Sequence, residues 1–217
     1  DVSAELELAR LVPVVDALLA RGVAVSIDTR KPAVMAAMAT RAVAWLNDVD
    51  GFRAPASLAA AANAPRSVRF VVMFHRNLGS RAERRDLGTD ALLADFEAFV
   101  QERRAAFAAV GVTPSRLVFD PGMGFFLGSD PRASIAVLQR ISILRARFGR
   151  PLLVSVSRKS FLARLTGTEP GPGLAAATAA ANVLAYERGA SAFRVHDVRA
   201  TADALRVAAA TFADDDA

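Results

Sequence analysis

The 217-residue sequence contains no cysteine, two lysines, two histidines, one tryptophan and one tyrosine. Without cysteine there are no disulfides, no thiolate metal sites and no thiol catalysis, which points to a cytoplasmic protein. No apolar run approaches the length of a membrane span and no signal-peptide pattern opens the sequence. The expectation is a soluble chain with no membrane partner. Lysine is the more telling scarcity, because 27 residues are Lys or Arg and only Lys31 and Lys159 are lysines. A chain that meets its need for positive charge with arginine keeps a compact, pKa-adjustable ammonium where a planar guanidinium would not serve.

The formal net charge of +5 raises the question of nucleic acid. The arginines are spread over helices and loops, densest from Arg76 to Arg85, and no aromatic residues interleave with them to form a stacking platform. Nucleic acid is therefore not expected as a partner. With 53% apolar and 23% charged residues, the chain suits one sizeable core, read as a single domain over 1–217. The flexible stretches are 76–89 and 167–173, and the final DDD reads as a solvated tail.

Six short apolar runs each end in a polar or ionisable side chain: VAVSIDT (23–29), AWLND (44–48), RFVVMFH (69–75), RLVFDPG (116–122), PLLVSVSRK (151–159) and AFRVHD (192–197). Between them the apolar spacing turns helical, over 4–20, 32–42, about 56–62, 90–110, about 132–148, 174–188 and 200–213. Strand followed by helix, repeated, means parallel pairing. The expected fold is a (β/α)8 TIM barrel, whose C-terminal strand ends form the mouth where such barrels do chemistry. Only six units are present, so the expectation is a barrel lacking its first two β/α units, an N-terminally incomplete form of a longer protein. An open six-stranded sheet, complete as written, is the rival.

Alternation along a strand puts Ser26 with Asp28, Trp45 with Asn47, Ser155 with Ser157 and Arg194 with His196 on shared faces. Asp28 can accept from ligand N–H groups, or serve only as a helix cap or turn residue. Asn47 offers donor and acceptor together, suited to a heterocycle edge, or else makes an Asx turn before Gly51. Asp120, between apolar walls and before Pro121-Gly122, needs a donor partner, and a ligand with two adjacent N–H groups would supply one. If the chain stays extended, Ser155, Ser157 and Lys159 line one face with Arg158 pointing away, and Arg194 with His196 makes a cationic corner for phosphate or pyrophosphate. The plainer readings are an exposed lysine, a partly buried histidine and an arginine in a structural ion pair.

SIDTRKP, LNDVDG, VVMFH, LVFDPGMGF, PLLVSVSRKSF and FRVHDV, in this order and spacing from about residue 8 to 210, resemble the dihydropteroate synthases, a family of pterin-binding barrels. The resemblance implies condensation of 6-hydroxymethyl-7,8-dihydropterin pyrophosphate with 4-aminobenzoate to 7,8-dihydropteroate and pyrophosphate, in folate biosynthesis, by a cytoplasmic homodimer. Carried over by motif, Asp28, Asn47, Asp120 and Lys159 hold the pterin. Ser157 helps bind aminobenzoate with Arg158, Lys159 and Phe126 nearby, and Arg194 with His196 receives pyrophosphate. Asp28, Lys159 and Arg194 are the catalytic set. Magnesium rides on the substrate pyrophosphate, and its protein ligand is expected on an opening strand that has no counterpart here.

Two departures stand out. VVMFH carries histidine one position later than the usual methionine-histidine pair, so His75 receives no role. Phe126-Leu127 replaces the usual glycine-lysine, as in the sulfonamide-insensitive branch, and Phe126 is expected to reshape the aminobenzoate subsite. The alternatives are a methyltetrahydrofolate:corrinoid methyltransferase, which needs no pyrophosphate corner, and a non-catalytic pterin-binding or partner-binding remnant.

Overall fold

The structure is a computed structural model that describes residues 2–75, 89–128, 130–149 and 151–212. The basic stretch from Arg76 to Arg85, most of the 76–89 segment and the DDD tail lie outside the described residues. Its elements run α1 (Ala4–Leu19), β1 (Ser26–Asp28), α2 (Pro32–Thr40), β2 (Trp45–Asp48), α3 (Pro55–Ala62), β3 (Arg69–Met73), α4 (Thr89–Ala109), β4 (Leu117–Asp120), α5 (Pro131–Gln139), α6 (Ile141–Phe148), β5 (Leu153–Val154), α7 (Ser160–Thr166), α8 (Ala175–Glu187), β6 (Ala192–Phe193) and α9 (Val198–Phe212). Among the described residues no helix is long and apolar enough to cross a membrane.

The chain clusters into two compact units, one of residues 1–74 and 97–119, the other of residues 75–96 and 120–217. The strands form a four-stranded sheet, ordered β1-β2-β3-β4, and a separate β5-β6 pair. A single open six-stranded sheet is therefore not what these strands form. Pairing is parallel between β1 and β2, β2 and β3, and β5 and β6, as the alternation of strand and helix requires.

In the first unit, β3 and its neighbours are apolar on both faces, as strands between helical layers must be. Leu46, Phe70, Val71, Val72, Val118 and Phe119 are all buried. Pro32 and Pro55 open α2 and α3, positions where the missing N–H costs no helical bond. Ser3 caps α1, its hydroxyl accepting from Leu6 N, and Arg41 Nε donates to Asp16 Oδ1 at 2.8 Å, tying α2 to α1. Phe52, Phe70 and Phe107 meet with ring centroids 5.3–5.5 Å apart. The guanidinium of Arg116 lies 4.7 Å over Phe70 and donates to the carbonyls of Val68 and Pro65, both at 2.8 Å. It thereby fixes the loop that enters β3.

In the second unit, Phe96 packs edge-on against Phe148 at 5.6 Å, and Tyr186 of α8 stacks on Phe212 of α9 at 6.5 Å. The helix expected over 132–148 is two helices. Arg140 leaves helical geometry (φ −111°, ψ 10°) and donates its N–H to Val137 O, a three-residue closure that breaks the ladder. Helix α7 has no counterpart among the helical periods of the sequence, because seven residues make too short a window to show one. The strands are shorter than their apolar runs, most of all β5, which ends at Val154.

Gly51 closes the turn after β2 with φ +67°, and a Cβ there would sit 2.7 Å from Phe99 Cζ and 2.9 Å from Met73 O. Both the backbone and the packing demand glycine. Gly51→Ala is expected to cost about 3 kcal/mol in urea unfolding, from left-handed strain plus overpacking. A loss under about 1 kcal/mol would show that this turn relaxes freely.

Candidate active site

In the first unit the parallel register sets Asp28 opposite Asn47 at adjacent strand ends. Ser26 and Asp28 are both exposed while Ile27 between them is buried, the alternation expected of this strand. Asp28 is not the cap of α2, since Lys31 holds the N-cap position and α2 has no side-chain cap bond. Asn47 is buried, and its Oδ1 has no hydrogen-bond partner. A buried carbonyl left so costs about 1–3 kcal/mol, so a ligand donor would recover that energy.

The Asx turn before Gly51 belongs to Asp48 and not to Asn47. Asp48 Oδ1 accepts from Asp50 N at 2.9 Å and Oδ2 from Phe52 N at 2.8 Å. This leaves the Asn47 amide outside the turn's own bonding. Burial pushes the Asp48 carboxyl up to about 6 against the pull of those two N–H donors, with the charges of Asp50 and Asp28 adding to the rise. Arg103 supports the same turn, donating from Nη1 to Phe52 O at 3.0 Å, and Arg53 lies 4.8 Å over the Phe99 ring.

In the second unit the β5-β6 register runs Leu153 to Ala192 and Val154 to Phe193. Side chains continue it beyond the strands. Arg194 Nε donates to Ser155 Oγ at 3.3 Å, and Ser157 Oγ lies 2.8 Å from His196 Nδ1 while accepting from His196 N at 3.1 Å. Ser155 and Ser157 are buried, Arg194 is half-buried and His196 is exposed. Two hydroxyls thus hold a guanidinium and an imidazole side by side, as the alternation predicts.

The extended run through Lys159 is corrected. Arg158 takes φ +57° with its N–H donated to Thr178 Oγ1 at 3.2 Å, so the chain turns between Ser157 and Lys159. Lys159 then stands at the N-cap of α7, with its Nζ 4.9 Å from the Phe126 ring centroid. The arginine is half-buried and does not simply point away from a strand face. Gly124, at φ +65°, makes room for the lysine, since a Cβ there would come within 3.3 Å of Lys159 Cδ. Asp120 is fully buried at the end of β4, its Oδ1 accepting from Gly122 N at 2.8 Å. Ser134 Oγ accepts from Gly124 N at 2.8 Å, and this support for the FDPGMGFF turn carries no local signal in the sequence. His75 lies two residues past the end of β3.

Each unit thus carries polar side chains at or just past the ends of its strands: Asp28 and Asn47 in the first, and Asp120 with the Ser155–Arg194 and Ser157–His196 pairs in the second. The family described as "Pterin binding enzyme" matches residues 1–196. The type-2 dihydropteroate synthase of Escherichia coli is 45% identical over 209 residues, covering 96% of this chain and 76% of the relative. The Xanthomonas albilineans dihydropteroate synthase in complex with 7,8-dihydropteroate superposes with a TM-score of 0.86 at 36% identity, covering 98% of this chain and 78% of that one. The same enzyme with 4-aminobenzoic acid gives 0.87 at 36% identity, covering 98% and 76%. The chain belongs to the dihydropteroate synthase family of pterin-binding enzymes.

The raised Asp48 carboxyl has a pH consequence of definite sign. A carboxyl ordinarily near 3.8 and held at about 6 in the fold stabilises the protein below the lower value and loses that contribution as pH rises through the upper one. Urea unfolding of the parent and of Asp48→Asn at pH 4 and pH 7 is expected to show the parent's advantage shrinking by up to about 3 kcal/mol. A difference independent of pH would mean that the fold leaves the affinity of the Asp48 carboxyl for its proton unchanged.

Proposed function

We propose that the chain condenses 6-hydroxymethyl-7,8-dihydropterin pyrophosphate with 4-aminobenzoate, releasing pyrophosphate and forming 7,8-dihydropteroate. The observation that carries the reading is the pair of hydroxyl-held side chains, the Arg194 guanidinium on Ser155 and the His196 imidazole on Ser157. A leaving pyrophosphate needs such a corner, whereas methyl transfer to cobalt does not. The ligands of the matching Xanthomonas albilineans structures, 7,8-dihydropteroate and 4-aminobenzoic acid, fit this reading.

In this reading Asp120 accepts N–H bonds from the 2-aminopyrimidine edge of the pterin, Asn47 complements a ring nitrogen, and Lys159 donates to the ring carbonyl or N5. The C–O bond to pyrophosphate breaks first, and the bond electrons leave with the phosphate oxygen toward Arg194 and His196. The cationic methylene is stabilised by the ring and by the Asp28 carboxylate. The arylamine nitrogen then attacks and sheds a proton, so no covalent bond to the enzyme forms. Ser157, with Arg158, Lys159 and Phe126, makes up the aminobenzoate subsite.

Among the described residues no three of His, Asp and Glu cluster as metal ligands. Magnesium, in this reading, comes with the substrate, bound to its pyrophosphate, where it would ease departure of the leaving group. The fold that goes with this function is the family's (β/α)8 barrel, taken as one pterin-binding domain. A cytoplasmic homodimer is the assembly that the reading carries.

The direct test is pyrophosphate release, expected only when both substrates are present. Lys159→Ala and Asp120→Ala are each expected to lower kcat/KM at least ~100-fold, as loss of a charged hydrogen-bond partner worth roughly 3 kcal/mol requires. Retained turnover in both variants would remove the site assignment. Pterin binding with no turnover would favour a binding remnant, and cobalamin-dependent turnover a methyltransferase.

Phe126 supports a second expectation. Its ring lies beside the Lys159 ammonium, so it limits the space over the proposed aminobenzoate subsite. Phe126→Gly is expected to tighten sulfonamide inhibition, read as a lower inhibition constant, and to weaken turnover by releasing Lys159 from the ring face. Equal inhibition constants in variant and parent would count against the idea.

A further inference from the structure

Lys31, one of only two lysines, has no part in the chemistry proposed above, yet its ammonium is committed. Lys31 Nζ donates to Glu7 Oε2 in a short ion pair. The other carboxylate oxygen, Oε1, accepts from the hydroxyl of Thr29 at 2.6 Å. That hydroxyl in turn accepts from Lys31 N at 3.2 Å, while Thr29 N donates to Asn47 O at 3.0 Å. Residue 29 is therefore held on one side by the partner strand and on the other by the first turn of α1. Asp28 immediately precedes it.

β1 is three residues long and ends at Asp28. The tether from α1 grips the residue that immediately follows, where the strand gives way to the turn before α2. We propose that Glu7 is a positioning residue of the pterin site, holding through Thr29 and Lys31 the turn from which Asp28 is presented. The inference rests on the reading of Asp28 given under the proposed function. Glu7 and Lys31 are partly exposed, their side chains at 19% and 28%, and a pair so placed adds little to global stability. Its effect falls on geometry at the site, where small misplacements are costly. The Glu7 carboxyl stays ionised for the task. Burial raises it, but the bonds and charge from Lys31 and Thr29 outweigh that and hold it below the usual carboxylate range.

The test is calorimetric binding of 6-hydroxymethyl-7,8-dihydropterin pyrophosphate to the full chain, with thermal melts alongside. Glu7→Gln and Thr29→Val are each expected to weaken binding about tenfold. Thr29→Ser, which restores the hydroxyl, is expected to stay within about twofold of the parent. In an Asp28→Asn background the Glu7→Gln penalty is expected to vanish, because the carboxylate it positions is gone. A penalty undiminished in that background would overturn the positioning role, as would a lowered Tm with unchanged affinity. A parent that binds no pterin would end the reading of the site itself, and the inference with it. Parental binding together with parent-like Glu7→Gln would end the inference alone.

Discussion

Parallel pairing in register is the constraint on which the rest of this molecule depends. In an antiparallel sheet neighbouring strands end at opposite edges, whereas parallel strands end together, and whatever follows them collects along one edge. The backbone bonds that match Ser26–Asp28 with Trp45–Asn47 and Leu153–Val154 with Ala192–Phe193 are therefore also what set Asp28 beside Asn47 and the two serines beside Arg194 and His196. Chemistry-bearing groups distant in sequence become neighbours through the backbone pairing, and side-chain bonds such as Arg194 to Ser155 extend it. The apolar layers on either face of the sheet supply the energy, and the register supplies the address.

The polar groups at these strand ends are buried at a cost that the fold meets unevenly. Asp48 has both carboxylate oxygens occupied by backbone N–H donors and still titrates high, because desolvation outweighs those bonds. Its neighbour Asn47 keeps a buried carbonyl oxygen with no donor. Two adjacent residues on one strand thus differ: one stabilises the turn with both oxygens, and the other keeps its carbonyl oxygen out of it. Similar support recurs in the second unit, where Ser134 and Thr178 hold the backbone of Gly124 and Arg158 and so define where Lys159 emerges.

Much of this was legible in the linear sequence. Six strand positions, most helix positions, and the facing of Ser26 with Asp28 and of Arg194 with His196 follow from apolar periodicity and alternation, because parallel strands carry strong patterns. The helix break at Arg140 was not legible, since nothing in its neighbours contradicts a helix and only the local dihedrals do. Nor was the turn at Arg158, where an arginine adopts a left-handed conformation that composition alone would reserve for glycine or asparagine. The Asx turn was foreseen, but Asp48 and not Asn47 makes it, because consecutive polar residues at a strand end compete for the same donors and the pattern cannot rank them. Thr29, Ser134 and Thr178 escaped notice altogether, as each acts through partners remote in sequence.

The two rungs joining Ser155 with Arg194 and Ser157 with His196 share a sequence separation of 39 residues. That separation is an accident of what lies between, while the rungs are aligned by the hydrogen-bonded pair beneath them. Lengthening or shortening the stretch around 167–173 would change the separation and leave the alignment intact, because the cost of closing a loop grows only slowly with its length. Insertions and deletions between α7 and α8 are thus uncoupled from the paired serine, arginine and histidine side chains. Natural variation in that segment can accumulate under selection for other properties while those rungs keep their form.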